Sequence, residues 1–189
     1  MPIVINGSGT VSGISAGGLP DGCVDADTLA SGVGGKILQV VTATSTTHQS
    51  TTSYSWVDTN LSASITPSAS SSKVYVLVQH AYRLLRSGEY DVTAGIQLLR
   101  GSTVIQSSRE RSGGGGKSNL VMGVSTSANS AYLGGHYNIQ HLDSPNTTSS
   151  TTYKTQYAAD WSTTVNLNQP DSVSTALPYS VMTLMEVAA

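Results

Sequence analysis

The stretch from Lys73 to Arg86, KVYVLVQHAYRLLR, constrains the fold of this chain more than any other segment. Its first half carries two sets of apolar side chains at a spacing of two residues: three valines, and the pair Tyr75 and Leu77. Successive side chains of a β-strand point to opposite faces, so a strand with one face in water alternates apolar and polar residues. This strand does not alternate until Gln79. We therefore expect both of its faces to be covered, one by a sandwich core and one by a further layer.

That further layer is expected to come from another copy of the chain, because the sequence contains no convincing amphipathic helix. The alternative is a loop of the same chain lying over the strand. The last segment of the chain, YSVMTLMEV, also has two apolar faces, one of which begins with Tyr179 and Val181. We predict a homotrimer with Tyr75, Leu77, Tyr179 and Val181 in its interface.

The composition excludes several classes of partner. Charged residues make up 11% of the 189 residues and the formal net charge is -2, so no basic surface for nucleic acid or for anionic membranes is expected. No stretch approaches the roughly 18 consecutive apolar residues of a membrane span, and no membrane insertion is expected. Ser and Thr together account for about a quarter of the chain, well above average usage. The surface is therefore expected to carry hydroxyl groups in place of charges.

The segment from residue 36 onward reads as a series of short strands bounded by Ser, Thr and Asn clusters. In LSASIT, for example, Leu61, Ala63 and Ile65 fall on one face. IQLLR and TVIQS, separated by Gly101 and Ser102, have the form of a β-hairpin with a two-residue loop. About eight to ten strands of this kind, without a repeat of fixed period, predict an all-β fold, an antiparallel β-sandwich of jelly-roll type over residues 36–189.

Residues 1–35 differ from the rest in being rich in Gly and Ser. Their large apolar side chains beyond Ile5 are isolated, namely Val11, Ile14 and Leu19. A segment of this composition cannot bury enough apolar area to fold alone. It is either a flexible linker or an extended N-terminal arm that becomes ordered on a partner, and the three apolar side chains favour an arm. Cys23 is the single cysteine, which excludes an intrachain disulfide and a multi-cysteine zinc site.

No motif in the sequence predicts catalysis, a metal site or a cofactor. The glycine-rich loop that ends in Lys117 and Ser118 resembles the end of a phosphate-binding loop, but Arg111 stands where that motif requires Gly. A Gly-x-Ser-x-Gly motif is centred on Ser15, inside the segment that cannot form a strand-to-helix elbow. The four histidines are scattered, without the spacing that places two imidazoles on one face. We expect no catalytic residues, no metal and no cofactor, and hydrolysis of a glycan is only a minor alternative.

Recognition of a receptor is the remaining activity that the sequence favours. Trp161 directly precedes the polar segment STTVNLNQPD. A flat aromatic ring beside amide side chains suits a sugar, because the ring stacks on the pyranose while amides bind its hydroxyls. We predict a receptor-binding site of Trp161, Asn166, Asn168 and Gln169. A core position for Trp161 is equally compatible with the sequence, and for Trp56 a core position is favoured.

Several segments resemble the tail-fibre and fibre-like structural proteins of marine phages and cyanophages. The arm contributes INGSGTVSGI, GLPDG and VDADTLA, and the later part contributes KILQVV, SASITP, SKV and LMEVA. The resemblance covers most of the chain as a low-complexity pattern, from which Cys23 departs. It implies a homotrimeric protein of the virion with an N-terminal attachment segment for other virion proteins and a distal β-domain in contact with the host.

Two functions follow from these observations. The first is a fibre whose distal β-domain binds a host surface glycan. The second is a capsid decoration or connector protein without receptor binding. Both place the protein in the virion, and the sequence does not choose between tail, neck and capsid.

Overall fold

The computed structural model describes residues 36–86, 92–107, 109–110, 117–118, 120–122, 131–159, 163–169 and 178–189. The arm of residues 1–35, with Cys23, and Trp161 lie outside the described residues. All secondary structure in the described part of the chain is β-strand, and no helix there is long and apolar enough to cross a membrane. The strands are β1 (Ile37–Ser45), β2 (Gln49–Thr51), β3 (Val57–Ile65), β4 (Lys73–Arg86), β5 (Val92–Arg100), β6 (Thr103–Gln106), β7 (Arg109–Glu110), β8 (Lys117–Ser118), β9 (Leu120–Met122), β10 (Ala131–Asp143), β11 (Thr151–Ala159), β12 (Thr164–Leu167) and β13 (Ser180–Val187).

Two antiparallel sheets make up the sandwich. In sheet 1, β1, β13, β4 and β10 lie side by side. On the side of β4 that pairs with β13, β12 pairs with the later residues of β4, and β2 pairs with β12. Sheet 2 has the order β3, β11, β5, β6, with β9 beside the first residues of β5. A small third sheet pairs β7 with β8.

The pairing of the eight main strands is that of a jelly roll. β1 pairs with β13, β3 with β11, β4 with β10, and β5 with β6. The first main strand therefore pairs with the eighth, the second with the seventh, the third with the sixth, and the fourth with the fifth. This nesting of antiparallel pairs, divided between two sheets, confirms the fold class predicted from the sequence.

The core lies between the two sheets and is built from alternate residues of each strand. On β3 the predicted set Leu61, Ala63 and Ile65 is buried. On β4 the three valines point inward, and Val74 and Val76 are fully buried. The inward and outward residues of β4 are those that the period of two indicates.

The predicted hairpin is present between β5 and β6. Arg100 pairs with Thr103, which leaves Gly101 and Ser102 as the loop. Gly101 has φ +58°, and Ser102 has no positive φ. Positive φ at the first loop position is the requirement of a type II′ turn, and Gly satisfies it without steric strain.

Polar side chains also connect the two sheets. Arg100 of sheet 2 forms an ion pair of 2.8 Å with Asp143 of sheet 1, and Tyr153 donates a hydrogen bond of 2.7 Å to the same carboxylate. Burial, together with the Asp143 carboxylate, raises the pKa of the Tyr153 hydroxyl. The hydroxyl therefore stays protonated and remains a donor to Asp143.

Candidate functional site

The outer face of sheet 1 carries the first group of side chains with a possible role in recognition. The strand registers place Val40, Met185, Tyr75 and Leu142 side by side across four strands. Leu77 lies in the next row and Val181 in the row after it. These six residues are named the apolar face below.

The apolar face is partly exposed in the single chain. Val40 is 56% exposed and Leu142 is 50% exposed, although both are aliphatic. Tyr75, Leu77 and Val181 are half-buried by their neighbours in the sheet. Three of the four residues predicted for a trimer interface therefore share one surface. The fourth, Tyr179, lies just before β13 and is 54% exposed.

The polar residues around the apolar face are uncharged. Three rows across β1, β13, β4 and β10 contain twelve described residues, and none of them is Asp, Glu, Lys or Arg. The polar members are Thr42, Thr44, Gln79, Asn138, Gln140 and Thr183. A shallow groove of about 110 Å³ runs between β13, β4 and β10 beside Leu77. Apolar side chains surrounded by uncharged polar groups are typical of the centre of a protein interface.

The outer face of sheet 2 has the opposite character. Asp58 accepts hydrogen bonds from Lys154 at 3.0 Å and from Gln156 at 2.7 Å, and Gln97 donates to Gln156 at 2.8 Å. Ser64 and Thr152 also share a hydrogen bond of 2.7 Å. This face is adapted to water by charges and amides. The two outer faces of one sandwich therefore differ, and only that of sheet 1 combines exposed aliphatic residues with a lack of charge in the described part.

The predicted receptor-binding residues are not brought together on one surface. Asn166 and Asn168 are buried, and their amides bind within the molecule. The Asn166 Oδ1 lies 3.2 Å from the His48 Nε2, and the Asn168 Nδ2 donates to the Thr47 carbonyl at 3.2 Å. Both amides therefore hold the β12 region in place, and neither is available to a ligand in this arrangement.

Gln169 is the predicted receptor residue that lines a surface cavity, whereas Trp161 lies outside the described residues. The cavity measures about 220 Å³ and is also lined by Tyr82, Arg83, His136 and Pro178. The Gln169 Oε1 has no hydrogen-bond partner in the structure. The cavity has the polar groups that a sugar would use, but it is smaller than most ligand pockets.

A chain of hydroxyl, imidazole and amide groups inside the sandwich was not indicated by the sequence. His80 is fully buried, with the Ser180 Oγ 3.0 Å from its Nδ1 and the Thr155 Oγ1 2.9 Å from its Nε2. Burial lowers the pKa of His80 to about 4. A serine beside a histidine resembles part of a hydrolase site, but no substrate reaches these atoms because all three residues are buried. The described residues also contain no group of three or more His, Cys, Asp or Glu able to hold a metal ion.

Comparison with known proteins assigns no family to this chain. No protein-family model matches the chain, and no curated protein matches it. Among solved structures, the chain matches the VP2 subviral particle of infectious bursal disease virus at 13% identity, with 80% of this chain and 37% of that chain covered and a TM-score of 0.25. It matches a structure of the Gx strain of the same virus at 13% identity, with 79% and 42% covered and a TM-score of 0.26. The chain spans about two fifths of the length of those proteins, and the function proposed below does not rest on the match.

Proposed function

We propose that this protein is a structural component of a virus particle, a homotrimeric fibre subunit. Residues 1–35 attach it to other virion proteins, and the β-sandwich at the distal end binds a glycan of the host surface. The arm has the sequence pattern of an attachment segment, and its composition suits a chain that becomes ordered on a partner.

The observation that carries the proposal is the exposed apolar face on sheet 1. In an isolated chain, the aliphatic side chains of Val40 and Leu142 stay in contact with water, because about half or more of each is exposed. Burial of a large aliphatic or aromatic side chain contributes about 1.5 to 3 kcal/mol. Contact between copies of the chain removes this surface from water and leaves the polar face of sheet 2 in solvent.

The dimensions of the surface suit an interface between subunits. Four strands at a spacing of about 4.8 Å and three rows at a spacing of about 6.6 Å give a surface roughly 20 Å on each side. This area is comparable to the largest exposed patch of a typical monomeric protein, which often has a function. No like charges in the three rows meet when the apolar faces of three copies converge on a three-fold axis, where each copy contacts the other two.

A capsid decoration or connector protein without receptor binding is the second candidate. One observation favours it: the side chains of Asn166 and Asn168 are buried, and their amides form contacts within the molecule. Self-association through the apolar face is common to both candidates. Binding of the trimer to a glycan array, and its loss in Gln169→Ala, supports the fibre, whereas occupancy of symmetric capsid sites in a map of the particle supports the alternative.

Replacement of Leu77 by Asp tests the assembly. Leu77 lies in the middle row of the apolar face, with Thr183 on one side and Gln140 on the other. A carboxylate at this position is buried without a partner when copies associate, which costs several kcal/mol per chain. We expect a trimer for the unmodified protein, and a monomer or an aggregate for the variant, by light scattering at micromolar concentration.

Ser62→Asp is the matched control, because Ser62 lies on the outer face of sheet 2 and is exposed. This variant introduces the same charge on the face that is already polar, and it should leave the trimer intact. A stable, soluble monomer for the unmodified protein at micromolar concentration contradicts the proposed assembly.

A further inference from the structure

The buried His80 lies at the contact between the two sheets. It belongs to β4 of sheet 1 and faces Ser180 of β13 in the same sheet through its Nδ1. Its Nε2 faces Thr155 of β11, in sheet 2. The imidazole therefore joins the two sheets through one hydrogen bond on each ring nitrogen.

The direction of the hydrogen bond at the Nδ1 follows from the neighbouring groups. The Asn168 Nδ2 donates to the Thr47 carbonyl, which can only accept, and this orients the Asn168 Oδ1 towards Ser180. The Ser180 hydroxyl donates its proton to that Oδ1 at 2.7 Å. The Ser180 Oγ therefore accepts from His80, and the Nδ1 carries a proton.

The Nε2 of His80 is consequently an acceptor in the neutral ring. Thr155 donates to it, and the Thr59 hydroxyl, 2.6 Å from the Thr155 Oγ1, donates in turn to Thr155. The backbone N–H of Leu61 donates to the Thr59 Oγ1. All donors and acceptors of the chain from Leu61 to Thr47 are then matched with a neutral imidazole in the Nδ1–H form.

A second proton on the ring disturbs this arrangement. The Nε2 then becomes a donor, so Thr155 must turn its own proton away from the ring. If Thr155 donates to the Thr59 Oγ1 instead, Thr59 redirects its own proton to the Thr155 carbonyl at 3.2 Å. Rotation of the hydroxyls can accommodate the proton, but the charge itself remains in the core with neutral neighbours.

The described groups around His80 do not compensate such a charge. Apart from the carboxylates, the inward-facing titratable residues of β10 and β11 are Tyr137, His141, Tyr153 and Tyr157, and burial raises the pKa of each tyrosine hydroxyl. Tyr137 lies opposite His80 in the pairing of β10 with β4. His48 contacts the amide of Asn166.

The nearest inward carboxylates on the flanking strands are distant. Glu186 and Asp143 lie six residues along β13 and β10 from the positions opposite His80, about 20 Å away at the rise of a strand. Asp58 and Lys154 form their ion pair on the outer face of sheet 2, and Arg83 lies three residues along β4 from His80.

We propose that this hydrogen-bonded chain is an acid-sensitive switch in the contact between the sheets, which holds the sandwich closed while His80 is neutral and weakens it once His80 is protonated. The proposal concerns the sandwich of residues 37–189 and does not depend on the proposed function in a virus particle. An acidic environment is the signal to which such a protein responds.

The direction and range of the pH effect follow from the pKa of His80. Its folded value of about 4 is lower than the ordinary value of 6.5, so the unfolded chain binds the proton more readily. Stability is therefore complete above the unfolded value and falls as the pH decreases from about 6.5 to about 4. Between about pH 7 and pH 5, we expect the unfolding equilibrium constant to rise about 20-fold from this residue.

Denaturant unfolding of the full chain at these two pH values tests the proposal. The unmodified protein should show the 20-fold change. His80→Gln, whose side chain has an NH₂ donor group and a carbonyl acceptor but does not titrate, should show less than about a twofold change. His136→Gln is the matched control, because His136 is exposed on β10, and it should retain the full change. A pH-independent unmodified protein, or an unchanged pH dependence in His80→Gln, overturns the proposal.

A measurement on the unmodified protein covers the case in which His80→Gln does not fold. Nitrogen chemical shifts of the His80 ring near pH 7 should show a protonated Nδ1 and an unprotonated Nε2, and the ring should remain neutral down to about pH 5. An Nε2–H form at neutral pH, or a ring that is charged near pH 6, overturns the proposal.

Discussion

Glu186 shows how the pKa of a single buried carboxylate depends on its hydrogen-bond donors. Its side chain accepts from the backbone N–H of Ser68 at 2.7 Å, from the Ser68 hydroxyl at 2.6 Å and from the Gln39 Nε2 at 2.7 Å. Burial alone raises the pKa of this carboxyl, but the donors, which include Ser72, outweigh burial and lower the pKa to about 2. The carboxylate thus fixes the segment between β3 and β4 against β13.

Replacement of Glu186 by Gln should destabilise the domain by about 1 to 3 kcal/mol, because an amide cannot accept from all of these donors. Because the folded pKa is lower than 4.5, the stabilisation is present above that pH and is lost as the pH falls towards 2. The variant should therefore also show a weaker pH dependence of the unfolding free energy in this range. Asp58→Asn, in an exposed ion pair, should change stability by less than about 1 kcal/mol. Equal effects of the two variants contradict this account.

Among the elements, the hairpin of β5 and β6 depends on one backbone conformation. A Cβ on Gly101 meets no atom within 4 Å, so the cost of a side chain comes from φ +58° alone. We expect Gly101→Ala to lower the unfolding free energy by about 1 to 2 kcal/mol. Ser102→Ala, at the neighbouring loop position, should change it by less than about 0.5 kcal/mol. Thermal unfolding of both variants measures the difference, and an unaffected Gly101→Ala contradicts the turn assignment.

At the scale of the whole molecule, the described residues of the sandwich form a hydrophobic core. All described core residues lie between Leu61 and Leu184, and residues 37–189 form one compact unit. Removal of residues 1–35 should therefore leave the denaturant midpoint of the sandwich unchanged, while incorporation into virus particles is lost. A loss of more than about 1 kcal/mol of stability contradicts the first expectation. Incorporation of the truncated protein into particles contradicts the role of the arm as the attachment segment.

Features that depend on neighbouring residues could be predicted from the sequence. The inward positions Leu61 and Ile65, and the two-residue turn at Gly101, were predicted because the period of a strand and the geometry of a tight turn are encoded within a few residues. The placement of Tyr75 and Leu77 on the second face of β4 follows from the same period. Whether another copy covers that face remains a prediction.

Only the tertiary structure determined which polar residues, far apart in the sequence, are buried and contact each other. Asn166 and Asn168, in a polar segment, were predicted to face a receptor, but the path of β12 beside β4 and β2 buries both side chains. His80 contacts residues 75 and 100 positions away along the chain, and no local pattern indicates such partners. A hydrophobic period specifies which face of a strand is buried, but the pairing of strands distant in sequence determines which polar groups meet inside the fold.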